Sequence, residues 1–282
     1  MTTHIDMEME NNDYHDKEQH PHISSSDIKT IAQTSVLHWA IKQSKPRKET
    51  PAMRMGSAIH GMILEPHKNE FMRGLPNRVK RKEWAEMEEA AERKGKILLT
   101  EGEYDDAQFT ADAALDTCEF LHNMTTAPNF CAEASIFTEC DRTGLDIKCR
   151  PDGWLMPQAE GEQGVLIDIK TTTAETPEAF EREIRRYDYA IQAAFYLHTM
   201  KCADFPCKAF YFAAVQKETG ITTLHLLSEL YLKHAEKRMF AAMDKLIHAR
   251  ETEEFTTGWE EVNIVHLPSW LEEEEELDET PF

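Results

Sequence analysis

The chain has 282 residues, enough to bury a sizeable core, and a formal net charge of −21 that argues against nucleic acid if it is spread evenly. It is not spread evenly: residues 1–20 hold six acids and one lysine, and residues 251–282 hold twelve acids and no Lys or Arg. Residues 45–82 instead carry ten Lys/Arg against three Glu, which suits a phosphate track as well as it suits a solvated loop, with Arg78, Lys80, Arg81 and Lys82 the densest part. No segment is long and apolar enough to span a membrane, and Met1-Thr2-Thr3-His4-Ile5-Asp6 lacks the basic and apolar regions of a signal peptide. The six cysteines never form a C-x-x-C pair. That predicts reduced thiols in a cytoplasmic protein, neither a disulfide framework nor a zinc site.

Residues 1–22 are polar, with His4, His15, His20 and His22 among acids, and are predicted to be a disordered tail. A folded domain is expected over 23–250, divided into a helical part at 23–125 and an α/β core at 126–250, followed by an acidic tail at 251–282. Ser24-Ser25-Ser26-Asp27 predicts the cap of one helix reaching about Ser44. Small residues within 55–64 predict a closely packed helix ending near Pro66, and 82–94 predict a charged surface helix. Thr100-Glu101-Gly102-Glu103 has capping-box spacing and predicts a helix reaching about Met124. After Pro128 the character changes, and 134–138, 145–149 and 165–168 read as three strands of a meander. Pro177 predicts the first turn of a helix reaching about Met200. Residues 210–215 and 221–226 read as paired strands, and 228–249 as a long amphipathic helix. This order predicts the α/β class, with a central mixed β-sheet flanked by helices.

Val165-Leu166-Ile167 is an apolar, buried type of strand, and a strand turns alternate side chains to one face. Asp168 and Lys170 therefore emerge together, with Ile169 turned away. Burying that pair is costly unless something binds there, and a hard divalent cation held by carboxylates supplies a reason. Read singly, Asp152 before Gly153 suits a turn, Asp168 with Lys170 a surface ion pair, and His60 a core histidine. Gln192 and Tyr196 suit ordinary polar positions of a helix. Read together and in order, they form the constellation of a nuclease site.

Arg150-Pro151-Asp152-Gly153 followed by Asp168-Ile169-Lys170-Thr171 resembles the paired-acid-plus-lysine pattern of the PD-(D/E)xK nuclease superfamily. Gly56-Ser57-Ala58-Ile59-His60-Gly61 resembles the histidine motif of its RecB-like branch. Tyr189-Ala190-Ile191-Gln192-Ala193-Ala194-Phe195-Tyr196 resembles that branch's Gln/Tyr motif. Residues 23–39, beginning Ile-Ser-Ser-Ser-Asp-Ile-Lys, resemble the opening of RecE-type proteins, and the stretch from about 23 to 245 resembles the nuclease domain of the RecE/exonuclease VIII family. The resemblance implies a restriction-endonuclease-like core and a metal-dependent 5′→3′ exonuclease of linear double-stranded DNA. It implies 3′ single-stranded overhangs for a single-strand annealing recombinase, in phage or prophage recombination and repair.

By the same resemblance Asp152, Asp168, the backbone carbonyl of Ile169 and His60 hold one or two Mg²⁺ or Mn²⁺ ions. Lys170 orients or deprotonates the attacking water. Gln192 and Tyr196, four apart on one helical face, position the lysine, water or DNA, and Glu133 is a further candidate acid. A homo-oligomeric ring is implied as well. Some RecB-like relatives carry an iron–sulfur cluster; here only Cys202 and Cys207 follow the Gln/Tyr segment, which predicts none. Alternatives within the superfamily are a single-strand nuclease or an endonuclease; from another class, a non-catalytic DNA-end-binding recombination scaffold. The run Glu272 to Glu276 and the terminal Pro281-Phe282 resemble the tip of bacterial single-stranded-DNA-binding proteins, which implies a partner with a pocket for that tip. A solvated tail is the plainer reading.

Overall fold

The computed structural model describes residues 3–45, 50–259, 262, 264 and 265. Its first segments are a short strand, β1 (His4–Asp6), and a single helical turn, α1 (Asn11–His15). Asp27 then accepts from the Ser24 amide at 2.9 Å and starts α2 (Ser25–Gln33) with a capping box. The single helix expected to Ser44 is two, because Thr34 leaves the helical conformation. Ser35 caps the second, α3 (Val36–Gln43), by accepting from the His38 amide. Thr50 caps α4 (Pro51–Leu64), with Pro51 in its first turn. Two three-residue strands that the sequence did not suggest, β2 (Phe71–Arg73) and β3 (Ile97–Leu99), pair in parallel on either side of α5 (Arg81–Glu92) in the chain. The Thr100 capping box opens α6 (Glu101–Thr117) as expected, but the helix stops at Cys118 and resumes as α7 (Glu119–Thr125).

Five strands follow: β4 (Phe130–Ala132), β5 (Ser135–Glu139), β6 (Asp146–Cys149), β7 (Gly153–Leu155) and β8 (Gly164–Thr172). Then come α8 (Pro177–Arg186), α9 (Tyr189–Cys202), β9 (Cys207–Gln216), β10 (Thr222–Leu226) and α10 (Glu229–Thr252). The main sheet has the order β10-β9-β8-β7-β4, with β8 and β9 parallel and the other pairs antiparallel, so the mixed α/β class is met. The expected meander does not form. β5 pairs with β6 on one side and with β1 on the other in a separate sheet, while β7 separates β8 from β4. β4 and β7 are three residues each, too few for alternation to register in a sequence.

Along β8, Leu166 joins the apolar layer built with α2, α9 and α10, and Val165, Ile167 and Ile169 join the layer built with α4 and α6. The sheet is thus a middle layer between two helical ones. The helix expected to run on to Met200 divides at Tyr187 and Asp188. Asp188 is left-handed at φ 54°, and its carboxylate takes both arms of the Arg238 guanidinium at 2.5 Å each.

Residues 3–22, expected to be disordered, are instead folded onto β5 and β6. His4 pairs with Phe137 across β1 and β5, Tyr14 is buried, and His20 and His22 lie against the Phe137 ring. Lys148, itself buried, donates to the carbonyl oxygens of Tyr14 at 2.6 Å and His20 at 3.0 Å. Composition misled because backbone pairing and one buried amine do the anchoring, and neither depends on the segment's own hydrophobicity. Among the described residues no helix is long and apolar enough to cross a membrane. The acidic run from Glu272 and the residues Pro281 and Phe282 lie outside the described residues.

Candidate functional site

Strand register brings the acids together. Ala132 pairs with Gly153 across β4 and β7, and Gly153 pairs with Ile167 across β7 and β8. One residue beyond these pairs, Glu133, Asp152 and Asp168 fall level across three neighbouring strands. Gly153 permits that closeness: a methyl group there would lie 2.5 Å from Phe130 Cε2 and 2.8 Å from Ile167 Cγ2. The Asp-Gly pair is therefore a strand start and not a turn. Glu133 is left-handed (φ 52°), and its amide donates to the Asp152 carbonyl at 3.1 Å.

Asp168 is 2% exposed, and its Oδ2 is buried without a hydrogen-bond partner other than its ion pair. Oδ1 accepts from Gln192 Nε2 at 2.5 Å, and Oδ2 forms an ion pair with Lys170 Nζ. Asp152 Oδ2 accepts from the Ile169 amide at 2.6 Å and lies 3.4 Å from His60 Nδ1. In extended backbone a residue's N–H and C=O leave on the same edge, so the Ile169 carbonyl faces the Asp152 side of β8. Glu133 accepts from Arg150 Nε at 2.7 Å, while Arg150 Nη1 is buried without a hydrogen-bond partner. Donor atoms of His60, Glu133 and Asp152 all lie within 4.8 Å of one another.

The electrostatics are those of carboxylates held too close. Burial and then the neighbouring Asp168 push Asp152 above the usual carboxylate range, against the pull of His60 and Lys170. Burial and then Asp152 push Glu133 up likewise, opposed by Arg150. Burial pulls the Lys170 amine down, but Asp168 and Asp152 outweigh it and hold it above its ordinary value. A divalent cation relieves this repulsion, and two carboxylates, an imidazole and a backbone carbonyl are a donor set that such ions take. These residues therefore fit a divalent metal ion.

Of the expected site residues, the fold gathers His60, Glu133, Asp152, Asp168, Ile169, Lys170 and Gln192. Tyr196, one turn after Gln192, is buried against Phe210 at 5.8 Å between ring centres. Among the described residues it makes no hydrogen bond to Asp168 or Lys170. Two of the four expected DNA-binding cations are engaged: Arg78 with Glu103 at 2.9 Å and Lys80 with Glu83 at 3.2 Å. Arg81 and Lys82 are exposed at the start of α5.

Two side chains escaped the sequence reading as site residues. The ring of Tyr189, at the start of α9, lies beneath both Lys170 and Lys29 of α2, at 5.0 and 5.4 Å. Burial, and then Lys170, push the Lys29 amine down to about 8. The signal that could have found them was the N-terminal segment 23–39, which contains Lys29, and the Tyr189 that opens the Gln/Tyr motif.

A family model for a PDDEXK-like domain of unknown function (DUF3799) matches residues 24–268. The crystal structure of a "Putative exonuclease" from Eubacterium rectale is similar in fold, with a TM-score of 0.59 over 94% of this chain and 97% of that chain at 14% identity. A second structure, named SSO0001, covers 67% of this chain and 86% of its own at 15% identity. Its TM-score of 0.28 is too low to carry an argument. No curated protein matches the sequence.

Proposed function

This chain belongs to the family of PDDEXK-like domains of unknown function (DUF3799), and from that premise we propose that it is a metal-dependent 5′→3′ exonuclease of linear double-stranded DNA. The observation that carries the reading is the row Glu133, Asp152 and Asp168 across three strands, with His60 on Asp152 and Lys170 on Asp168. Asp152, His60, the Ile169 carbonyl and Asp168 would hold Mg²⁺ or Mn²⁺, with Glu133 as a further ligand. Such an ion, when bound, offsets charge on the phosphoryl oxygens and makes hydroxide available near neutral pH. Lys170 holds a proton beside Asp168 and orients water toward the phosphorus. Gln192 fixes Asp168 from the helical layer above, and Arg150 keeps Glu133 turned into the row. The 3′ overhang would pass to a single-strand annealing recombinase, and a homo-oligomeric ring would hold the enzyme on its duplex.

The test uses linear duplex labelled at the 5′ or the 3′ end, beside closed circular DNA, with Mg²⁺. Release of the 5′ label from linear DNA alone supports the reading. Cutting of the circle replaces it with an endonuclease. End binding with no cutting in Mg²⁺ or Mn²⁺ replaces it with a scaffold.

A further inference from the structure

The cysteines are too scattered along the chain for a zinc signature, yet the fold gathers two of them around one histidine. Cys140 follows the end of β5, while His198 and Cys202 stand four apart on one face of α9. His198 Nε2 is 3.2 Å from Cys140 Sγ, 3.3 Å from Cys202 Sγ and 3.5 Å from Asp141 Oδ1. We propose that Cys140, Asp141, His198 and Cys202 form a structural zinc site, distinct from the carboxylate row and independent of the nuclease reading.

The donor set decides the ion. Thiolate and imidazole select zinc, where magnesium takes oxygen. Zinc–sulfur and zinc–nitrogen bonds arranged tetrahedrally set nitrogen and sulfur about 3.6 Å apart, near the two separations found here. Donor atoms of Cys140, Asp141 and His198 lie within 4.8 Å of one another, and Cys202 joins them through His198. Four protein donors leave no open position, which marks a structural and not a catalytic centre. Cys140 and His198 are buried, Cys202 is half-buried and Asp141 is exposed, so the ion enters past the aspartate. The imidazole is held edge-on against Phe240 at 5.0 Å, and Arg142 covers that ring at 4.0 Å.

Its consequence is mechanical. The ion would fasten the end of β5 to α9, the helix whose first turn carries Gln192 onto Asp168. Spacing arguments could not see it, because Cys140 and His198 are 58 positions apart.

The test is the metal content of the full chain, purified under reducing conditions without chelator, and the spectrum of the zinc-stripped chain titrated with Co²⁺. About one zinc per chain and a thiolate-to-cobalt charge-transfer band of tetrahedral character are expected. Cys202→Ser should abolish the band. Asp141→Asn, at an exposed position that leaves the fold intact, should weaken zinc binding at least about tenfold. Cys118→Ser and Asp152→Ala should keep the zinc, which separates this site from the carboxylate row. A wild-type chain with no zinc and no charge-transfer band overturns the proposal, whatever the variants do.

Discussion

Asp168 is a buried carboxylate whose two oxygens are divided between a neutral amide and an ammonium, and that division explains why Gln192 belongs with the acids. Gln192 Nε2 fixes Oδ1 from α9, which leaves Oδ2 for Lys170 and keeps the lysine beside the row. Removing the amide leaves a buried acceptor without its partner, at about 1–3 kcal/mol. Gln192→Ala should therefore lower the free energy of unfolding in urea by that amount. It should also cut the nuclease rate on the order of 100-fold if Asp168 shifts by about 1 Å. Circular dichroism separates the two effects: a folded variant with undiminished rate would show that Gln192 is only structural. Tyr196, its expected companion one turn further along α9, is buried against Phe210.

Elements, not single residues, set the spacing of the row. β4 and β7 close at Gly153, so Gly153→Ala must push Phe130 or Ile167 aside, an overpacking that costs about 1–3 kcal/mol. Because Phe130 lies on β4, the same shift moves Glu133 away from Asp152. Isothermal titration with Mn²⁺ should show weaker binding to the variant, and unchanged affinity would mean that β4 does not shape the site. How much of this was legible follows element length. β8, β9, β10 and α10 carry long apolar patterns or clear caps and stand where the sequence put them. β4, β7, β2 and β3 are three residues each and gave no pattern. The breaks at Ser35, Cys118 and Asp188 carry no Gly or Pro, and at Asp188 the partner is the distant Arg238. In the site, contiguous motifs announced Asp152, Asp168, Lys170 and Gln192. Arg150 and Lys29 stand inside the motifs, but their partners Glu133 and Tyr189 come from distant segments and are set by register and packing.

At the scale of the whole molecule, the N-terminal segment is tied to the core by a lysine that the core would rather not charge. Burial pushes Lys148 down to about 8, against about 10.4 in an unfolded chain. Between those values the unfolded chain binds more protons than the folded one, so stability should rise with pH, by up to about 3 kcal/mol across the window. Below pH 8 the full penalty is present, and above about 10.4 it is gone. Urea midpoints from pH 8 to 10.4 should climb in the wild type and flatten in Lys148→Met; parallel curves would place the buried charge elsewhere. Whether the row of acids and Lys170 hydrolyses DNA is read most directly from nucleotide release from linear duplex. The wild type should release acid-soluble nucleotides with Mg²⁺ and none with a chelator, and folded Lys170→Met should be about 10²–10⁴-fold slower. Equal release by wild type and Lys170→Met, or release that survives the chelator, would contradict hydrolysis at this row.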